Sequence, residues 1–324
     1  MENKTNTDVN VLVSNEIDLR ELLAVLWQSK LKMIIFTFGF SLLTVIYSIN
    51  LPNIYQSKAI LSPMGEQNNL NQLMRNYGGL ASLAGIDLSS QSNDSNVTRA
   101  KEKLSSLSFF SDNILPNIFL PDLMAMDSWN SESNTIFYDK NIYDFESKKW
   151  VRNYNFPRTQ IPSAQESFEV FREIMQVSED PLTGFVTLTV EHQSPFIAQR
   201  WAKLIVEEIN YFFRAKDKLE AQAAMDYLNK QLALTKFVEV KQAIAQILQQ
   251  KTQQLTLVEA NEFYVFDYID PPEVMELKSR PNRALICILG AFLGGLLIVS
   301  FVLLRFLIEK YLFKKKFDLL IKHD

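Results

Sequence analysis

Two stretches of the chain contain no charged residue, Met33 to Leu51 and Ala284 to Leu304. As helices rising 1.5 Å per residue, both reach about 30 Å, the thickness of a bilayer's hydrocarbon core. Lys30 and Lys32 precede the first, and Pro52 closes it. Both read as transmembrane helices. The first is an uncleaved anchor rather than a signal peptide, because a long polar segment precedes it and no small-residue cleavage site follows in SINLPNIYQS.

Between the two runs the periodicity changes. YQSKAILSP, Tyr55 to Pro63, alternates enough to predict a strand. The polar stretch from Gly65 to Asn96 holds four of the five glycines found between the spans and reads mostly as loop. Asp94 or Ser95 is placed to cap a helix through NVTRAKEKLSSL, and a second short helix runs through SFFSDNIL up to Pro116. From Pro121 to Pro162 the pattern is irregular and aromatic, and Trp129, Tyr138, Tyr143 and Trp150 read as small-domain core rather than a sugar-stacking surface. Ser163 and Glu166 have capping-box spacing ahead of SFEVFREIMQV. VSEDPLTGFVTLTVE predicts two strands and a turn, with Val186, Leu188 and Val190 on the buried face.

Ser194-Pro195 opens a helix, with proline at its first position. From Phe196 to Asp270, 75 residues, there is neither glycine nor proline. One helix from Pro195 to about Thr235 would be roughly 60 Å long. Its first half carries an apolar stripe, Ile197, Trp201, Leu204, Ile205, Ile209 and Phe212. Its second half, FRAKDKLEAQAAMDYLNKQ, turns polar and alanine-rich. The first half is expected to pack on the base and the second to project from it. KFVEVK interrupts, AIAQILQQKTQQLTLVEANE returns alongside, and EFYVFDYID reads as a returning strand.

Charge places these parts. The tail after the second span holds Arg305, Lys310, Lys314, Lys315, Lys316 and Lys322 against Glu309, Asp318 and Asp324. Basic flanks resist translocation, so both ends are expected in the cytoplasm; Lys278, Arg280 and Arg283 conflict, but they end a long loop that escapes the rule. The predicted organisation is a cytoplasmic N-terminus (1–32), transmembrane helix 1 (33–51), a periplasmic base with a helical arm at about 195–262 (52–283), transmembrane helix 2 (284–304) and a cytoplasmic tail (305–324). The fold class is an α+β periplasmic domain with a long projecting helix, flanked by two transmembrane helices. Residues 53–283 carry 29 acidic against 23 basic side chains, which argues against nucleic acid as a partner. The one cysteine, Cys287, lies within the second span, so no disulfide holds the exported domain.

Catalytic constellations are missing from the pattern. The two histidines, His192 and His323, fall on opposite sides of the expected membrane, too far apart for one metal site or triad. No glycines have the GxGxxG or GxxxxGK spacing of a nucleotide loop. Glu207 and Glu208, adjacent on a predicted helix, face different directions. No catalytic, metal-ligating or cofactor-binding residue is assigned, and the chain reads as a non-enzyme without cofactors. Gly290 and Gly294, four apart on one face of the second span, invite close approach of another helix, either the first span or a second copy.

IDLRELLAVLW before the first span, SINLPNIYQSKAILSP after it, GGLASLAGI at Gly78 to Ile86, VTLTVEHQSPFIAQRW and VEVKQAIAQILQQKTQQLTL together resemble the Wzz chain-length determinants, or polysaccharide co-polymerases, of bacterial inner membranes. YIDPPEVMELKSRPNRALI is similar to that family's proline-rich segment, which carries over to Pro271, Pro272 and Pro281; Met275 to Leu277 departs from it, where a proline is expected. Without the resemblance, these prolines simply end the strand and delay the span. The resemblance implies a homo-oligomeric ring that sets the modal length of O-antigen or a related polymer, carried on undecaprenyl diphosphate and assembled by a Wzy-type polymerase, with membrane lipids around its spans. Two alternatives share the architecture: the membrane adaptor of a capsule or polysaccharide export system, and a co-polymerase paired with a separate tyrosine kinase.

Overall fold

The computed structural model describes residues 19–64, 96–260 and 263–321. The GGLASLAGI stretch, the caps read at Asp94 and Ser95, and His323 lie outside the described residues. Along the chain come α1 (Leu19–Gln28), α2 (Lys30–Asn50), β1 (Tyr55–Pro63), α3 (Asn96–Leu104), α4 (Leu107–Phe109), α5 (Leu120–Met124), β2 (Met126–Asn130), β3 (Thr135–Tyr138), β4 (Tyr143–Asp144) and β5 (Lys149–Trp150). They are followed by α6 (Ala164–Ile174), β6 (Met175–Glu179), β7 (Val186–His192), α7 (Pro195–Leu234), α8 (Val238–Ala260), β8 (Phe266–Asp270) and α9 (Arg283–Ile321). A π turn, Phe110–Ile114, and a 3-10 turn, Leu115–Asn117, which contains Pro116, continue α4. The chain divides into two compact units. One contains α1, α2 and α9, and the other is Pro52–Arg280.

In the first unit α2 and α9 pack along each other. Leu51, which precedes Pro52, is extended at φ −72 and ψ 135, as the proline ring requires, and α2 therefore stops at Asn50. Two differences from the sequence reading stand out. The segment before the first span is helical from Leu19, and α9 runs on past Leu304 through the basic tail to Ile321. The cause lies in composition: FLIEKYLFKKKFDLLI has no glycine or proline, and Arg305 pairs with Glu309 one turn on, at 2.8 Å.

In the second unit four of the described strands form an antiparallel sheet in the order β6-β7-β1-β8, and β2-β3 and β4-β5 form two small two-stranded sheets. Tyr55 stands opposite His192 and Leu61 opposite Val186 across β1 and β7, while Met175 faces Val190 across β6 and β7. A register shift between Ile60 and Leu61 adapts β1 to β8. The β6–β7 turn contains Gly184 at φ +71, a left-handed conformation that glycine adopts at no steric cost. Val186, Leu188 and Val190 are all buried, as their alternation predicts.

One face of this sheet takes the first half of α7. Ile197, Trp201, Ile205, Ile209 and Phe213 are buried there among Ala59, Leu61 and Phe266, and Phe109, Phe110, Phe168 and Phe171 complete the core. Each fully buried side chain of this size contributes about 1.5–3 kcal/mol. Ser163 caps α6 by accepting from the Glu166 backbone N–H, as the capping-box spacing predicts. The aromatics of 119–150 gather into one cluster in which Tyr143 meets Phe119, Tyr138 and Trp150 with ring centroids 5.1–6.0 Å apart. Trp129 lies outside that cluster, edge-on to Tyr55 at 5.4 Å.

Beyond Phe213 the only buried side chains of α7 are Asp217 and Ala221. There α8 runs back along α7, tied by a Lys218–Glu259 ion pair. The second half of the long helix thus stands off the base as one member of a helical hairpin. The break between the two helices is shorter than KFVEVK suggests. Only Thr235 to Phe237 leave the helical state, because Val238 and Val240 cost a few tenths of a kcal/mol each in a helix.

Candidate functional site

Three places carry polar or close-packed arrangements that the rest of the fold does not require. The first is the seam between α2 and α9. A Cβ built on Gly290 would come within 2.4 Å of Thr44 Cγ2, and one on Gly294 within 2.9 Å of the Phe40 Cβ. Gly295 faces Thr37 at ordinary contact distance. The two glycines named from the sequence therefore face α2 of the same chain. Thr44 donates its hydroxyl to Ser41 O at 2.8 Å, and both its methyl and its hydroxyl face Gly290. At the far end of the same seam Lys310 pairs with Glu21 at 2.7 Å, so α1 continues the antiparallel pairing. Outward from the seam the side chains stay apolar, with Ile34, Phe38, Phe292 and Phe301 all exposed.

The second place is the root of the arm. Asn210, on the buried face of α7, accepts with Oδ1 from the backbone N–H groups of Tyr264, Val265 and Phe266 at 3.1, 2.7 and 3.0 Å. Its Nδ2 donates to Phe266 O at 2.9 Å and Val206 O at 3.1 Å. Two turns further along α7, Tyr264 donates to Asp217 at 2.6 Å. The chain returning from the arm is thereby fixed to α7 just before it enters β8. Sequence reasoning missed both residues; the signal was an amide and a carboxylate on the side of the helix that is otherwise apolar.

The third place is the exit from the sheet. Pro271 follows the last residue of β8 and is exposed, while Pro272 is buried and accepts from Gln199 at 3.3 Å. The segment then runs antiparallel beside the entry to β1. Ser57 donates to Glu273 O at 2.8 Å, the N–H groups of Ser279 and Arg280 donate to Ile54 O, and the Ile54 N–H donates to Arg280 O at 2.9 Å. Entry and exit of the domain are hydrogen-bonded to one another, and Pro281 marks the point where the second unit ends. Met275 and Leu277 are exposed in this crossing.

His192 is buried. Its Nδ1 accepts from the Ser194 N–H at 3.0 Å, which leaves the proton on Nε2, 3.1 Å from Asp122 O; the ring lies edge-on to Trp201. Burial lowers its pKa to about 4, so it is neutral. The Ser194 hydroxyl makes no cap bond, and the start of α7 rests on Pro195 and this backbone contact. Next to it Arg280 pairs with Glu191 at 3.0 Å, and Tyr138 donates to Asp122 at 2.6 Å. Burial raises the Asp122 pKa against the opposing influence of that hydrogen bond and of Arg200. These polar groups satisfy each other and hold α5 to β7. Glu207 and Glu208 do not act together: Glu208 accepts from Asn113 and Asn117, and Glu207 pairs along the helix with Lys203.

The chain combines two helices of membrane-crossing length with an α+β unit that carries a helical arm. Residues 15–113, which include the first of those helices and β1, match the family model described as Wzz, chain length determinant protein. Residues 227–307, which include α8, β8 and the start of α9, match GNVR, "G-rich domain on putative tyrosine kinase". The chain thus carries a match to the chain-length-determinant model in its first third and a match to the GNVR model towards its end. Among solved structures it is similar to a full-length bacterial polysaccharide co-polymerase, at 14% identity over 91% of this chain and 99% of that one, with a TM-score of 0.38. It is also similar to a fragment of WzzB, a polysaccharide co-polymerase from Salmonella Typhimurium, at 14% identity over 70% of this chain and 100% of that one, with a TM-score of 0.26. No curated protein matches the sequence.

Proposed function

We propose that this protein sets the modal chain length of O-antigen or a related Wzy-dependent polysaccharide, as a non-catalytic homo-oligomeric scaffold of the bacterial inner membrane. In this reading α2 and α9 cross the membrane, both termini are cytoplasmic, and residues 52–283 occupy the periplasm. The growing polymer, held on undecaprenyl diphosphate, and its polymerase are the partners. The Wzz match across the first span and the opening strand carries the reading. The outward apolar side chains of α2 and α9 support it, since a helix apolar all round suits lipid rather than water. So does the tip of the arm, where Leu234, Phe237 and Val238 are exposed side by side for a neighbouring copy or the polymerase.

Deleting the gene should leave polymer on the cell surface while its clustered length distribution on a gel disappears. Complete loss of surface polymer would contradict the proposal and favour an export adaptor. The match over residues 227–307 favours one further reading, a co-polymerase paired with a separately encoded tyrosine kinase. Tyrosine-phosphorylating activity that co-purifies with the full chain distinguishes it.

A further inference from the structure

The segment after the aromatic cluster, Arg152 to Gln160, is a loop held from inside. The Arg152 guanidinium donates to Thr159 O at 2.7 Å, to Gln160 O at 2.9 Å and to both carboxylate oxygens of Glu166 on α6. Its side chain is only 13% exposed. The start of the loop is fixed as well, because Val151 donates to Ile142 O at 2.9 Å, and an Arg158 N–H to Asn155 O bond of the same length closes the turn. A loop fixed in this way has little freedom to tuck its side chains away. Even so, it displays Phe156 at 97% exposure and Tyr154 at 54%. Together with Asn153, Asn155 and Arg158 these rings border a recess of about 380 Å³, within the range of small-molecule sites.

We infer that this recess is a saccharide subsite, which rests on the proposed function and names the surface that touches the polymer. A pyranose ring has apolar CH faces and hydroxyl edges that both donate and accept. Phenyl and phenol rings cover the first. Carboxamides, which also both donate and accept, pair with the second. Arg158 adds a planar guanidinium suited to a uronic acid carboxylate. An apolar protein partner would instead bury the Asn153 and Asn155 amides without bonds, at a cost. Arg152 acts as a positioning residue, since its donors are turned inward.

The test uses the full chain in detergent micelles and, as probe, the producing strain's surface polysaccharide released from its lipid by mild acid. The parent protein binds this probe. The Tyr154→Ala/Phe156→Ala double variant and Arg158→Gln bind it about tenfold more weakly with unchanged melting temperature, because all three side chains are exposed. Failure of the parent to bind, or double-variant affinity within roughly twofold of the parent, overturns the inference. A double variant that keeps its affinity but changes in oligomeric mass overturns it in favour of a protein contact. None of these outcomes touches the gene-deletion phenotype, which tests the proposed function separately.

Discussion

Removing the Asn210 side chain would leave the backbone N–H groups of Tyr264, Val265 and Phe266 facing a buried gap too tight for easy solvation. Each unsatisfied buried donor costs about 1–3 kcal/mol, so Asn210→Ala should lower stability by about 3 kcal/mol or more in denaturant titrations of the full chain. A loss below about 1 kcal/mol would mean that the return strand is held by packing alone. His192 predicts a pH effect. Its folded pKa of about 4 lies below the unfolded value of 6.5, so between those values the unfolded chain binds a proton that the folded chain refuses. Stability should therefore fall by ~3 kcal/mol as pH drops from 6.5 to 4, and be unaffected by this group above 6.5. The Glu166 carboxyl, held low by Arg152, acts in the same direction at lower pH: its contribution is present above its unfolded value and disappears as it protonates. His192→Gln should flatten the upper part of that profile. The only other histidine, His323, lies 131 positions along the chain, so the sequence offered His192 no near histidine partner. Alternation places His192 on the same buried face as Val186, Leu188 and Val190; what alternation could not show is that Thr189 and Glu191, on the other face of β7, are buried as well.

Gly290 and Gly294 were legible as a close-approach motif from their spacing, but the spacing could not choose between partners. That choice depends on Thr44 and Phe40, which nothing in the first span marks out. Gly290→Leu would drive a side chain into Thr44, a short branched residue that cannot swing away, and should cost about 1–3 kcal/mol. Gly39, with no atom within 4 Å of a built Cβ, is the control. Gly39→Leu should leave the melting temperature in detergent unchanged, whereas equal effects of the two variants would contradict the observed seam. The long helix was the most readable element. Proline at its first position and the absence of any breaker set Pro195–Leu234 almost to the residue. The helicity of α1 and of the tail was not read, because charge and proximity to a span drew attention to topology rather than to propensity.

Residues 53–57 and 273–280 are hydrogen-bonded together, so the second unit begins and ends at one place. The arm, fixed at its root by Asn210 and Asp217, then extends a polar helical hairpin from a base whose core is complete without it. Under the proposed function, the bulk of the chain lies on the side where polymer grows. Cys287 is the sole native cysteine, so a Cys287→Ala background with Leu234→Cys at the exposed arm tip gives a single reporter thiol. In spheroplasts that thiol should react with a membrane-impermeant maleimide before lysis. Labelling only after lysis would place the arm in the cytoplasm and contradict the account.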